Sequence, residues 1–196
     1  MHPRRIVVIQ GHPDPQAGHF GHALTDAYAY GAHEAGHHIT SIRVAELDFT
    51  LIRTKQEWDT GVPPPSIQTA QATVAQADHL LIAYPLWLGT LPAHFKGFLE
   101  QLLRPHSARA PMPSRKMGSQ LLVGKSARII VTMGMPAFAY RWYFGAHSVR
   151  ALERSILGAS GVQPIRASLI GSVETAGDSK RKRWLANMRQ LGRNAR

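Results

Sequence analysis

Cysteine is absent from the chain, which excludes disulfides, iron–sulfur clusters, thiolate nucleophiles and Cys-ligated zinc. Acidic residues are scarce: 12 Asp and Glu stand against 23 Lys and Arg, for a formal net charge of +11. Between Lys180 and Arg196 there are seven Lys or Arg and no acid at all. The other basic residues are scattered, with no stripe of interleaved aromatics, so a solvated basic surface is expected rather than a specific nucleic-acid site. Long apolar runs are missing as well. Pro85 and Gly89 break the longest candidate, so no transmembrane segment is expected. The run Ile6–Ile9 is too short for the apolar region of a signal peptide, and a soluble, cytoplasmic protein is expected. At 196 residues and 44% hydrophobic, the chain suits one domain, 1–196, with a full core.

The stretch Leu80–Leu103 organises the rest. Leu80-Leu-Ile-Ala-Tyr84 is continuously apolar, as a strand covered on both faces should be. Pro85 ends it, Gly89 and Pro92 bracket a tight apolar loop, and Phe95, Phe98, Leu99, Leu102 and Leu103 then recur at helical spacing. Arg4–Gln10, Ala127–Thr132 and roughly Gln163–Ile170 read as further buried strands, and the alternating His38–Val44 as another. Helices are predicted from Phe20 to near Gly36, from an N-cap at Ser66 to Gln76, over about Ala146–Leu157, and over the basic segment of about 178–192. Asp48–Pro65 is predicted to be an irregular excursion that packs on another subunit or surface, and Arg104–Lys125 a polar connection. Strand and helix thus alternate five times. That pattern predicts an α/β fold with a doubly wound, five-stranded parallel sheet in three layers.

In such a sheet the loops after strands one, three and four share the carboxyl edge at the switch point, where ligands bind. The first, Gly11–Gly21, opens a helix whose free N–H groups attract an anion; Gly18 and Gly21 permit close approach, and His12 and His19 add donors. It is not GxGxxG, and Arg43-Val44 stands where a ribose-binding acid would end strand two, so a single phosphate fits better than a dinucleotide. The second loop offers Leu86, Trp87 and Leu88 to a flat apolar ring. The third offers N–H groups and Thr132, with Tyr140 and His147 seven residues apart above it; a packing role for these two stands beside a chemical one.

These loops together resemble the NAD(P)H:quinone oxidoreductases, the flavodoxin-like family of quinone reductase and the modulator-of-drug-activity proteins. The similarity runs from about Arg4 to Gly171. It rests on His12-Pro…Phe20…Ala23-Leu24, on Pro85-Leu-Trp-Leu-Gly-Thr-Leu-Pro-Ala93 with Lys96-Gly97, and on Gly124-Lys…Thr132-Met-Gly…Tyr140. The resemblance implies that His12, His19 and Phe20, with Gly18 and Gly21, hold the phosphate of a flavin, FMN or alternatively FAD. Pro85, Leu86, Trp87 and Leu88 would cradle its ring, and Thr132, Met133 and Gly134 would line its polar edge. Tyr140 and His147 would stabilise charge on the flavin during hydride transfer. An NAD(P)H-dependent reduction of quinones or similar acceptors by a homodimer is implied. Some relatives resemble ancillary flavoproteins of potassium-efflux systems, so a regulatory subunit bound to a membrane partner is the alternative.

One competing motif is present. His33-Glu-Ala-Gly-His37 matches HExxH, the zinc-protease helix. Gly36 falls where helix one should stop, and Thr40 and Arg43 occupy the Gly and third-His positions of the extended motif, so a solvated helix end is the expected reading.

Overall fold

A computed structural model describes residues 2–16, 18–104 and 122–196; most of the Arg104–Lys125 connection lies outside the described residues. Five strands, β1 (Arg5–Gln10), β2 (His38–Arg43), β3 (His79–Pro85), β4 (Ser126–Thr132) and β5 (Ile165–Ile170), form one sheet. All four pairings are parallel and the order is β2-β1-β3-β4-β5. The chain moves outward one way from β1 to β2, then returns past β1 to β3, so the order reverses between β1 and β3. β1, β3 and β4 are almost wholly buried, as their unbroken apolar runs require, whereas the edge strand β2 is largely exposed and its burial does not alternate: Ile39 and Ile42 are its covered residues and pack on opposite faces.

Side-chain alternation divides the core. Val7, Ile9, Leu80, Ile82, Ile129 and Val131 point to the face covered by α3 (Pro65–Ala75) and α4 (Ala93–Leu103). Ile6, Val8, Leu81, Ala83 and Ile130 point to the face covered by α1 (Phe20–Glu34) and α7 (Asp178–Arg193). This gives the three layers. Each fully buried Leu or Ile on the two faces contributes roughly 1.5–3 kcal/mol. Helices α1 and α7 cross so closely that a Cβ on Gly31 would lie 2.0 Å from the Arg189 carbonyl oxygen. Trp184, Leu185, Met188 and Leu191 form the docked face of α7, as predicted.

Three local expectations are corrected. Ser66 is not an N-cap: Pro64 is, Pro65 takes the first helical position, and Ser66 Oγ donates to the Asp48 carbonyl at 2.6 Å. The 48–65 excursion is not irregular throughout, because α2 (Lys55–Thr60) lies within it. Thr54 Oγ1 accepts the Glu57 N–H at 3.1 Å while Glu57 reaches back to the Arg53 N–H at 2.8 Å, a variant of the capping box in which the carboxylate takes the N–H one residue before the N-cap. Nor is the excursion free for a partner along its whole length. Phe49 stacks on His94 (4.7 Å between centroids), and Gln101 Nε2 donates to the Thr50 carbonyl at 2.7 Å, so the segment packs on α4 of its own chain.

After β4 a short helix, α5 (Ala137–Trp142), precedes α6 (His147–Arg150), which widens into a π-helix over Ala151–Gly158. Among the described residues no helix is long and apolar enough to cross a membrane.

Candidate functional site

The three loops meet at the carboxyl edge. Gly11 N–H donates to the Ala83 carbonyl at 2.7 Å, and Leu86 N–H to the Thr132 carbonyl at 2.8 Å, so the ends of β1, β3 and β4 are tied together. The resulting cleft is lined by Gln10, His12, Gly21, His22, Pro85 and Thr132, among others. It sits where the strand order reverses, the position at which open α/β sheets bind ligands.

Asp14 organises the first loop. Its N–H donates to His12 Nδ1 at 3.1 Å, its Oδ1 accepts the Gln16 N–H at 2.9 Å, and its Oδ2 meets His19 Nε2 at 2.8 Å. The rings of His12 and His19 stack, with His22 edge-on to both. Because His12 Nδ1 accepts, the proton of its neutral form sits on Nε2, which is left as a donor. Partial burial, then the neighbouring His19 and His22, hold the His12 pKa below the usual imidazole value; burial and His19 lower that of His22 too.

Gly18 takes a positive φ of 105° as the chain turns into α1. His19 is the N-cap but its side chain makes no capping bond, and the first turn holds no acid. The leading N–H groups, at Phe20 and Gly21, therefore have no helical partner and confer a positive partial charge on the cleft. Phe20 contributes through its backbone, since its ring packs on Trp184 at 5.8 Å.

In the second loop Trp87 and Thr90 pair backbone to backbone, at 3.0 and 2.9 Å, around Leu88 (φ +48°) and Gly89 (φ +80°). Two successive positive φ values make a type I′ turn, which suits glycine and strains leucine. The turn leaves Leu88 fully solvent-exposed and Trp87 half-exposed, with the indole 6.0 Å from the His12 ring. Leu86 instead leans on the core.

In the third loop Thr132 faces the cleft, 3.9 Å from where a Cβ of Gly21 would lie. The Met133 N–H is taken by the Ile170 carbonyl at 2.9 Å and its side chain is buried, so Met133 supports the loop rather than offering a donor. Gly134 is exposed beside the Glu174 carboxylate. Tyr140 and His147 do not line the cleft. Tyr140 is 1% exposed, and its hydroxyl lies buried close to Ser148, as does that of Tyr84, with none of the three hydroxyls in full hydrogen-bond geometry. Burial raises the Tyr140 pKa. His147 is exposed, its ring against Gly145.

Gln10 and His22 join the cleft without having been singled out in the sequence. Gln10 is the lone polar residue closing an apolar strand, and it lies 5% exposed with Nε2 bound to Thr25 at 2.7 Å and Oε1 unpartnered. His22 sits one helical turn beyond His19. At the other edge the HExxH motif is structural. α1 ends at Glu34, whose carboxylate is held by Arg189 and Arg193, and the His37 nitrogens meet the Arg4 N–H and the Arg193 carbonyl. No metal-binding cluster of three His, Asp or Glu occurs among the described residues.

A parallel 2-1-3-4-5 sheet, with an anion-attracting helix start and a cleft at its switch point, is the arrangement of a flavodoxin-like protein. The chain belongs to that family: residues 4–191 match the family described as having the flavodoxin-like fold. It is 25% identical over 180 residues to an uncharacterized NAD(P)H oxidoreductase of Haemophilus influenzae, covering 90% of this chain and 88% of that protein. An NAD(P)H:quinone oxidoreductase from Methanothermobacter marburgensis superposes with a TM-score of 0.79 at 20% identity, covering 98% and 97% of the two chains. An FMN-dependent NADH-azoreductase from Bacillus anthracis, solved in complex with FMN, gives 0.69 at 12% identity, covering 98% and 97%. These two likenesses concern the fold.

Proposed function

We propose that the chain is an FMN-binding NAD(P)H oxidoreductase that reduces quinones or related acceptors and works as a homodimer. The observation that carries this reading is the convergence of the three loops on one cleft at the switch point. Two features of the cleft support a flavin mononucleotide. Gln10 Oε1 is a buried acceptor on the cleft wall that lacks a partner, and an unpaired group there costs roughly 1–3 kcal/mol until a ligand donor reaches it. The acid-free start of α1 suits one phosphate. The names of the H. influenzae, M. marburgensis and B. anthracis relatives support the same activity.

When bound, the flavin would supply hydride acceptance and donation. The chain's own residues bind and orient. Phe20 and Gly21 N–H, His12 and His19 would hold the phosphate, Gln10 and Thr132 would present polar atoms, and Pro85, Leu86, Trp87 and Leu88 would exclude water from one side. The exposed Phe138, Trp142, Tyr143 and Phe144 follow β4 at the same edge, an apolar surface suited to covering by a second copy of the chain. The test is the visible spectrum of purified protein before and after anaerobic NADPH. Oxidised-flavin bands that bleach are expected. A colourless protein that added FMN does not reconstitute would overturn the reading.

A further inference from the structure

The opposite rim of the sheet, where the strands begin, holds a second cleft of about 520 Å³, lined by Arg4, Asp78, His79, Ser126, Arg166 and Arg196 among others. A seven-residue strand puts it about 20 Å from the Thr132 cleft. Its charge is unbalanced. Asp78 is the one acidic side chain in its lining, and it is committed to Arg5, accepting the backbone N–H at 2.7 Å and facing the guanidinium at 3.5 Å. Arg4 makes a single long bond to the Ala195 carbonyl, at 3.4 Å, and Arg166 has no ion-pair partner among the described residues. Arg128, buried behind the cleft, donates to Ser168 Oγ at 2.7 Å and to the Arg196 main-chain oxygen, so it is already occupied.

The wall also carries unsatisfied polar atoms. His79 is 2% exposed; its Nδ1 lies 2.7 Å from Ser126 Oγ, and its Nε2 is buried without a partner. The Tyr28 ring stacks on it, and the Tyr28 hydroxyl is unpartnered too. Burial, reinforced by Arg4, Arg128, His37 and Arg166, keeps His79 neutral at pH 7. A neutral imidazole accepting from Ser126 carries its proton on Nε2 and is a donor. The His79–Ser126 pair leaves one donor on the wall beside the Arg4 and Arg166 guanidiniums, neither of which is paired with a side-chain carboxylate among the described residues, and the guanidinium fork matches phosphate oxygens. The volume lies in the range of small-molecule sites and exceeds what a bare ion needs.

We propose that this amino-edge cleft is a second binding site, for a phosphorylated small molecule whose phosphate is held by Arg4 and Arg166 with His79 and Ser126 on the wall. It is separate from the carboxyl-edge cleft and does not depend on the activity assigned to it.

Calorimetric titration of the full-length protein with inorganic phosphate, and separately with adenosine 5′-monophosphate, is the test. Both are expected to bind with Kd of about 1 mM or tighter. Tighter binding of the nucleotide marks an organic ester as the ligand, and equal binding marks the free anion. The Arg4→Gln/Arg166→Gln variant should lose at least tenfold in affinity, whereas His19→Ala, at the other edge, should not. In wild type the His79 imidazole NMR signals should move on titration. If the double variant does not fold, Arg166→Gln alone should lose at least threefold. Absence of binding by either probe would overturn the site. So would binding that survives the arginine substitutions made in a His19→Ala background, where the phosphate position at the carboxyl edge is disabled.

Discussion

The imidazole of His12 lies face to face on that of His19, centroids 3.7 Å apart and planes 22° from parallel, with Asp14 bonded to both residues. Two stacked imidazoles cannot both carry charge cheaply, and burial together with His19 and His22 already depresses His12. A phosphate at the start of α1 would reverse that balance, favouring the protonated ring. FMN affinity is therefore expected to rise as pH falls from 8 towards 6, because the bound state takes up a proton that the free protein does not. Asp14, Asp26 and Arg43 are the other charged groups acting on the cluster. Flavin fluorescence quenching at several pH values checks this. His12→Asn should flatten the slope, and an unchanged slope would assign the proton elsewhere.

Tyr140 is buried with its hydroxyl unpartnered beside Tyr84 and Ser148, outside the cleft. Tyr140→Phe should therefore leave the rate of flavin reduction by NADPH within about twofold, and leave stability unchanged or raised by up to about 1 kcal/mol, since a buried unpaired hydroxyl is removed. Stopped-flow reduction and urea denaturation read the two quantities. A tenfold slower reduction with unchanged stability would restore the catalytic role that the family resemblance implies.

The sheet was legible because strands buried on both faces have to be continuously apolar, as Leu80–Tyr84 and Ile129–Val131 are, and the loops of the cleft follow from strand order alone. Side-chain direction beyond β4 was not legible. Tyr140 and His147 are seven apart, which would put them on one helical face. Gly145 and Ala146 both adopt positive φ, however, and break the helix between them. The α2 helix did carry a signal, Thr54-Lys-Gln-Glu57, but at six residues it has no amphipathic period to accompany its cap. The cleft member Gln10 shows the same limit from the other side. A polar residue ending a buried strand announces a site without saying what faces it.

Leu88 occupies the first central position of a type I′ turn at φ +48° with its side chain fully exposed. A branched residue in that region costs about 1–2 kcal/mol, whereas Asn-Gly is the preferred I′ pair. Leu88→Asn is expected to raise stability by about 1 kcal/mol, seen as a higher midpoint in urea. If Leu88 persists because it contacts the acceptor, the same variant should raise KM for a quinone severalfold with kcat little changed. A variant that gains stability and keeps KM would show that the leucine does not contribute to acceptor binding.

His79 links the second cleft to folding. Its pKa is lowered to about 4 from the ordinary 6.5, chiefly by burial and then by the surrounding cations. In the unfolded chain the imidazole takes up a proton near pH 6.5; in the folded chain it does so only near 4. Between these values the unfolded state binds more protons, so stability is undiminished above pH 6.5 and falls as pH drops towards 4. The full loss from this group is on the order of 3 kcal/mol. Glu34, whose pKa is pulled down to about 2 by Arg189 and Arg193, loses its contribution only at lower pH, from about 4.5 downward, so the two windows barely overlap. Urea unfolding at pH 7.0, 6.0 and 5.0 should show the decline, and His79→Asn should flatten it. Phosphate added at pH 5 should recover part of the lost stability in wild type but not in Arg4→Gln/Arg166→Gln, because an anion in the cleft makes protonation of His79 less unfavourable. A decline that persists undiminished in His79→Asn would assign the acid sensitivity to other groups.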